Sequence, residues 1–141
     1  MPTVTRPYDP GIGPVIEVTI SDPVSLRDDE QPPKSEKVIM LLDSGASECS
    51  ISPAVAARLQ LVPHGLHEII GVAASRQAHH QYMADLGLWL GNDCVEYFDW
   101  QLIEFSARYD KIDGLLGRDI LAHANFHLDG PNRRFTLTID R

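Results

Sequence analysis

The sequence predicts an all-β protein in the broad sense, mainly strands with two short helices, and three observations carry that prediction. Ten glycines and ten prolines cut the 141 residues into short apolar segments, which is the punctuation of strands and turns. PVIEVTI (14–20) and FTLTID (135–140) place apolar residues on a two-residue alternation, the period of a strand with one buried face. No internal repeat, low-complexity tract or heptad competes with that pattern. The length is that of one domain with a real core.

Taken in order, residues 1–13 read as an N-terminal arm and 14–141 as the domain. PVIEVTI supplies the first strand. SDPVSLRDDEQPPKSE (21–36) is polar and proline-bearing, so it reads as an exposed loop. KVIMLLD (37–43) is a continuous apolar run ended by a turn, the pattern of a strand buried on both faces. Ser52-Pro53 before AVAARL places an N-cap serine and a first-turn proline at the start of a helix. HEIIGV (67–72) and HQYMADLGLWL (80–90) read as arms of a hairpin with AASRQAH at its tip. CVEYFDWQLIEF (94–105) is rich in β-branched and aromatic residues and supplies a further strand. RDILAHANF (118–126) reads as the second helix, and DGPN (129–132) as the turn into FTLTID.

Composition excludes several functions. Twenty acidic against twelve basic residues give a net charge of −8, which disfavours nucleic acid or an anionic membrane as partner, because phosphates are held by clustered Lys and Arg. No apolar run is long enough to span a bilayer. MPTVTRPYDPG lacks the apolar centre of a signal peptide, the expectation for a cytoplasmic molecule. Cys49 and Cys94 have no metal-type spacing and are expected to be reduced. His79 and His80 are neighbours on a strand, so they point to opposite faces and cannot chelate one ion together; both are expected to be solvent-exposed.

Two stretches carry chemistry. In LLDSGASECS (41–50) an apolar strand runs into a carboxylate followed by a hydroxyl, a glycine and an alanine. In KIDGLLGRDIL (111–121), Gly114 and Gly117 bracket two leucines and suggest backbone approaches that a Cβ would block. Together they resemble the retropepsin-like aspartic proteases. The family pattern is an apolar strand into Asp-Ser/Thr-Gly-Ala, then a hairpin, then apolar-apolar-Gly-Arg-Asp/Asn-apolar-Leu. Here the matching residues are Leu41-Leu42-Asp43-Ser44-Gly45-Ala46 and Leu115-Leu116-Gly117-Arg118-Asp119-Ile120-Leu121. The likeness runs from about Pro14 to Ile139.

The resemblance implies a half-barrel with one active-site loop per chain, a flap hairpin, and a homodimer that brings two copies of Asp43 together. Peptide hydrolysis needs a base to activate water and an acid to protonate the leaving group. Two carboxylates too close to ionise together share a proton and fill both roles; aspartic proteases are a standard illustration of the effect. No metal or cofactor is implied. Asp43, Ser44 and Gly45 are the catalytic triplet, with the Ser44 hydroxyl bracing the two loops across the axis. Ala46 and Ser47, with Gly71, Val72, Ala73 and Ala74 of the hairpin, would line the peptide cleft. Gly117, Arg118 and Asp119 would support the loop. Ser47 stands where many viral members carry an aspartate that pairs with this arginine, leaving Glu48 or another acidic residue for that role. FTLTID is expected to supply part of the dimer interface by strand pairing. The rival reading is a module of the same fold that binds peptides or assembles without cutting. A serine hydrolase using Ser44 or Ser47 lacks the Gly-x-Ser-x-Gly elbow and a paired histidine.

Overall fold

The structure, a computed structural model, describes residues 1–26, 32–70, 76–105 and 110–140, with the backbone alone for 66–70 and 76–78. Its strands are β1 (Thr3–Pro7), β2 (Val15–Ser21), β3 (Ser35–Leu42), β4 (Ser50–Ile51), β5 (Gly65–Ile70), β6 (Arg76–Leu90), β7 (Asp93–Glu104), β8 (Gly114–Leu116), β9 (Ala124–Asp129) and β10 (Arg134–Ile139). Among the described residues two helices accompany them, α1 (Pro53–Arg58) and α2 (Arg118–Leu121), together with a 3-10 turn at Val24–Leu26. None of these helices is long and apolar enough to cross a membrane.

Seven strands form one sheet in the order β2-β3-β8-β4-β7-β6-β5, and a further pairing of β2 with β6 closes six of them into a ring. That closure sets Val18 opposite Leu88 and Ser21 opposite Asp85. Inside the ring lie Val18, Ile20, Met40, Leu86, Leu88, Leu102 and Leu116, all essentially inaccessible. Closing a sheet on itself removes exposed strand edges, and here only β5 hangs outside, paired to β6 alone.

The sequence reading of β3 needs correction. Its burial alternates, with Val38, Met40 and Leu42 inward while Ile39 is 37% exposed, so the apolar run is not buried on both faces. The outward face of β3 carries Ile39, Leu41 and, one residue past the strand, Asp43, as the two-residue period requires.

β1, β10 and β9 make a separate three-stranded antiparallel sheet. The segment read as an arm therefore contains a strand, with Thr3 facing Thr138 and Thr5 facing Thr136 through side-chain hydrogen bonds of 2.9 Å each. Val4, Phe135, Leu137 and Ile139 point the other way into the common core. Two expectations fail at this sheet. RDILAHANF is helical only over Arg118–Leu121; from Ala124 it is a strand paired with β10. FTLTID lies at the sheet's centre with both edges satisfied by β1 and β9, so it has no edge to offer a second chain.

The β6–β7 hairpin turns at Gly91, whose φ of 66° suits a residue without Cβ. A register shift between Ala84 and Leu86 marks a bulge. Its buried Asp85 accepts hydrogen bonds from the amides of Asp99 (2.8 Å) and Val24 (3.0 Å). His79 is buried while His80 is exposed, which confirms the opposite faces but corrects the expectation that both meet solvent.

Candidate active site

The loop after β3 is built from both of the motifs seen in the sequence. β3 runs parallel to β8, with Leu41 opposite Leu115 and Leu42 opposite Leu116. The Leu42 amide donates to the Pro14 carbonyl and the Asp43 amide to the Leu116 carbonyl, each at 2.9 Å. The backbone is thus fixed up to the carboxylate-bearing residue. Beyond it the chain reverses: the Gly45 amide donates to Asp43 Oδ1 at 2.9 Å and the Ala46 amide to the Asp43 carbonyl at 3.2 Å. This is an Asx-type turn, in which the aspartate side chain stands in for a backbone acceptor. A Cβ on Gly45 would sit 3.1 Å from Asp43 Oδ1, so glycine here keeps the carboxylate uncrowded.

The second motif clamps that turn. The Arg118 amide donates to the Ala46 carbonyl and its guanidinium Nη1 to the Ser44 carbonyl, both at 2.8 Å. Gly117 is required by contact: a Cβ there would lie 2.6 Å from the Glu48 carbonyl and 2.9 Å from the Ala46 carbonyl oxygen. Arg118 thus holds the loop's backbone through Ser44, so the clamp does not depend on the residue at position 47.

Asp119 gathers four donors. Its Oδ1 accepts from the Ile120 amide (2.9 Å) and the Cys49 thiol (3.1 Å), and its Oδ2 from the Cys49 amide (3.1 Å) and Trp100 Nε1 (2.9 Å). Cys49 is fully buried, and its Sγ also accepts from the Gly117 amide at 3.4 Å. Burial, reinforced by the Asp119 charge, pushes the thiol far above its ordinary range. It therefore stays protonated and keeps donating. Cys49 and Trp100 were not singled out as site residues from sequence. Cys49 lies six residues past Asp43, and no spacing joins Trp100 to either motif.

Of the residues expected at the site, Asp43, Ser44, Gly45, Ala46, Gly117, Arg118 and Asp119 come together as described. Ser44 and Ser47 are exposed and Asp43 is partly so. Gly71, Val72, Ala73 and Ala74 lie outside the described residues; the two strands that lead to them, β5 and β6, pair from Gly65 opposite Gln81 to Ile70 opposite Arg76. Chemically, the arrangement presents one carboxylate at the end of a rigid strand. The neighbouring Asp119 is committed to its four donors.

The architecture is that of the retropepsin-like fold. Among solved structures, a retropepsin-like aspartic protease from Rickettsia conorii superposes with a TM-score of 0.60 at 14% identity, over 96% of this chain and 89% of that one. The sequence model of a family described as aspartyl protease matches residues 23–120, a span holding Asp43 and the clamp formed by Gly117, Arg118 and Asp119. The chain belongs to the aspartyl protease family. No match was found among curated proteins.

Proposed function

We propose that the chain is an aspartic endopeptidase that works as a homodimer, hydrolysing peptide bonds with a water held between two copies of Asp43. The observation that carries this reading is the framing of Asp43. Its backbone is bonded to Leu116, its Oδ1 to the Gly45 amide, and its loop is held by Arg118 and Gly117. Catalytic groups need this kind of fixed placement.

In the dimer, one carboxylate acts as base toward the water while its protonated twin polarises the scissile carbonyl and then protonates the leaving nitrogen. Ser44, next in sequence and exposed, braces the two loops across the axis. The β5–β6 hairpin closes over the bound peptide as a flap, excluding water from the cleft. The peptide lies extended along Ala46 and Ser47, pairing with backbone as an added strand.

Cleavage of a peptide library at mildly acidic pH, with and without a pepstatin-type inhibitor, tests the reading. Wild type should cut and be inhibited. Asp43→Asn, nearly isosteric but unable to act as base, should lose roughly 10²–10⁴-fold or more in rate with its fold intact by circular dichroism. A variant that kept wild-type rates would remove Asp43 from the mechanism, and inhibition by chelators would point to different chemistry.

A further inference from the structure

A cavity of about 400 Å³ opens beside the candidate active site, lined by Asp9, Gly11, Ile12, Leu41, Asp110, Lys111 and Ile112. Its position follows from the strand period. Leu41 and Asp43 lie on one face of β3 and its continuation, two residues apart, so the cavity floor is about 7 Å from the carboxylate-bearing residue. The loop bearing Asp9 is seated against that floor. The amides of Ile12 and Gly13 donate to the Asp9 carbonyl at 2.9 and 2.7 Å, and Gly13 packs so tightly that a Cβ would meet Leu41 Cδ1 at 2.9 Å.

The lining has two chemistries. Leu41, Ile12 and the buried Ile112 give an apolar wall, and the exposed Asp9, Asp110 and Lys111 give a charged rim. No ion pair joins Lys111 to either aspartate among the described residues. Asp9 Oδ1 accepts from the Gly11 amide at 2.8 Å, which fixes that carboxylate at the rim. The three rim charges sum to −1, with Asp43 close by.

We infer that this cavity selects substrates with a lysine or arginine next to the bond to be cut. Such side chains carry an apolar stem with a cationic end. The stem matches the wall of Leu41, Ile12 and Ile112, and the cation matches Asp9 and Asp110 at the rim. A glutamate would meet two carboxylates and one lysine, and a leucine would fill the wall but leave the rim unanswered. This inference rests on the reading of Asp43 as catalytic for the meaning of the pocket, though not for its binding preference.

The experiment separates the two. Three matched alanine-rich peptides carrying a single arginine, leucine or glutamate are titrated by fluorescence polarisation against the full chain bearing Asp43→Asn. The same titration is repeated with Asp9→Asn and Asp110→Asn added. Two partly exposed ion pairs give the arginine peptide an expected advantage over leucine of about three- to tenfold. That advantage should shrink in 0.5 M salt, where charges are screened beyond roughly 4–5 Å, and fall to about twofold or less in the triple variant. Equal affinities, including no measurable binding of any peptide, overturn the inference, as does an arginine preference that survives loss of both aspartates. Cleavage of the same peptides by wild type is read separately: arginine-selective binding without cutting would sink the protease reading and leave only the pocket's preference for a cationic side chain standing.

Discussion

Asp119 gathers the Cys49 amide and thiol, the Trp100 indole and the Ile120 amide. Removing it leaves several donors partly shielded from water, each costing about 1–3 kcal/mol when unsatisfied. Asp119→Ala should therefore destabilise the chain by about 2 kcal/mol or more, read as a lower denaturant midpoint at unchanged slope. Asp119→Asn, which keeps one acceptor oxygen, should lose less. A second carboxylate responds to acid rather than to mutation. Asp129 is held below its ordinary range first by the Asn132 side chain and then by the Asn132 amide, at 2.9 and 3.2 Å. A depressed carboxylate contributes stability above its unfolded pKa and loses it as pH falls through the folded value. Asn132→Ala should thus move the Asp129 midpoint upward, seen by NMR titration of its carboxyl carbon, while the neutral-pH fold stays unchanged. The Asp-Ser-Gly triplet and the Gly-Arg-Asp clamp were legible because both sit in short motifs of fixed residue type. The Cys49–Asp119–Trp100 contact was not, since a buried thiol and an indole look the same in sequence whether they fill space or hold a carboxylate.

Elements were legible in proportion to their length. β2, β6, β7 and β10 announce themselves by alternation or by β-branched and aromatic content, and Ser52-Pro53 marks α1, where Ser52 Oγ accepts from the Val55 amide at 3.3 Å. β4 and β8, of two and three residues, are too short for any period and exist only through pairing with distant strands. The misreading of RDILAHANF had a visible remedy. Ala124, Phe126 and Leu128 alternate with Asn125, His127 and Asp129, a strand signature hidden behind a helix start. At this scale Gly117 is the hinge between β8 and α2. Gly117→Ala drives a Cβ into the Glu48 backbone, which cannot yield as a flexible side-chain tip would. It should cost about 1–3 kcal/mol and displace the Asp43 loop, so peptidase activity should fall by more than the thermal midpoint alone accounts for.

Over the whole molecule, six strands close on themselves while β1, β5 and β9 each pair on one side only among the described residues. If strand pairing joins two copies, one of these edges supplies it, since β10 is already satisfied on both sides. With one Asp-Ser-Gly in this sequence, the mechanism proposed above assigns acid and base to two subunits. Specific activity should accordingly fall on dilution, and excess Asp43→Asn chains should poison wild type through mixed dimers; a fully active monomer in sedimentation at assay concentration would defeat the dimer. Ring closure itself was not legible, because the β2–β6 pairing joins segments whose patterns carry no trace of each other.

The parallel pairing of β3 with β8 also sets a clock. The carbonyl that positions Asp43 belongs to Leu116, seventy-three positions later in the chain, and Arg118 follows it. At ordinary ribosomal speeds of about 5–20 residues per second, roughly 4–15 s separate the emergence of the carboxylate from that of its frame. During that interval the growing polypeptide carries Asp43 without the geometry to use it. On the proposed reading, the nascent chain cannot cut its neighbours before Leu116 and Arg118 have emerged.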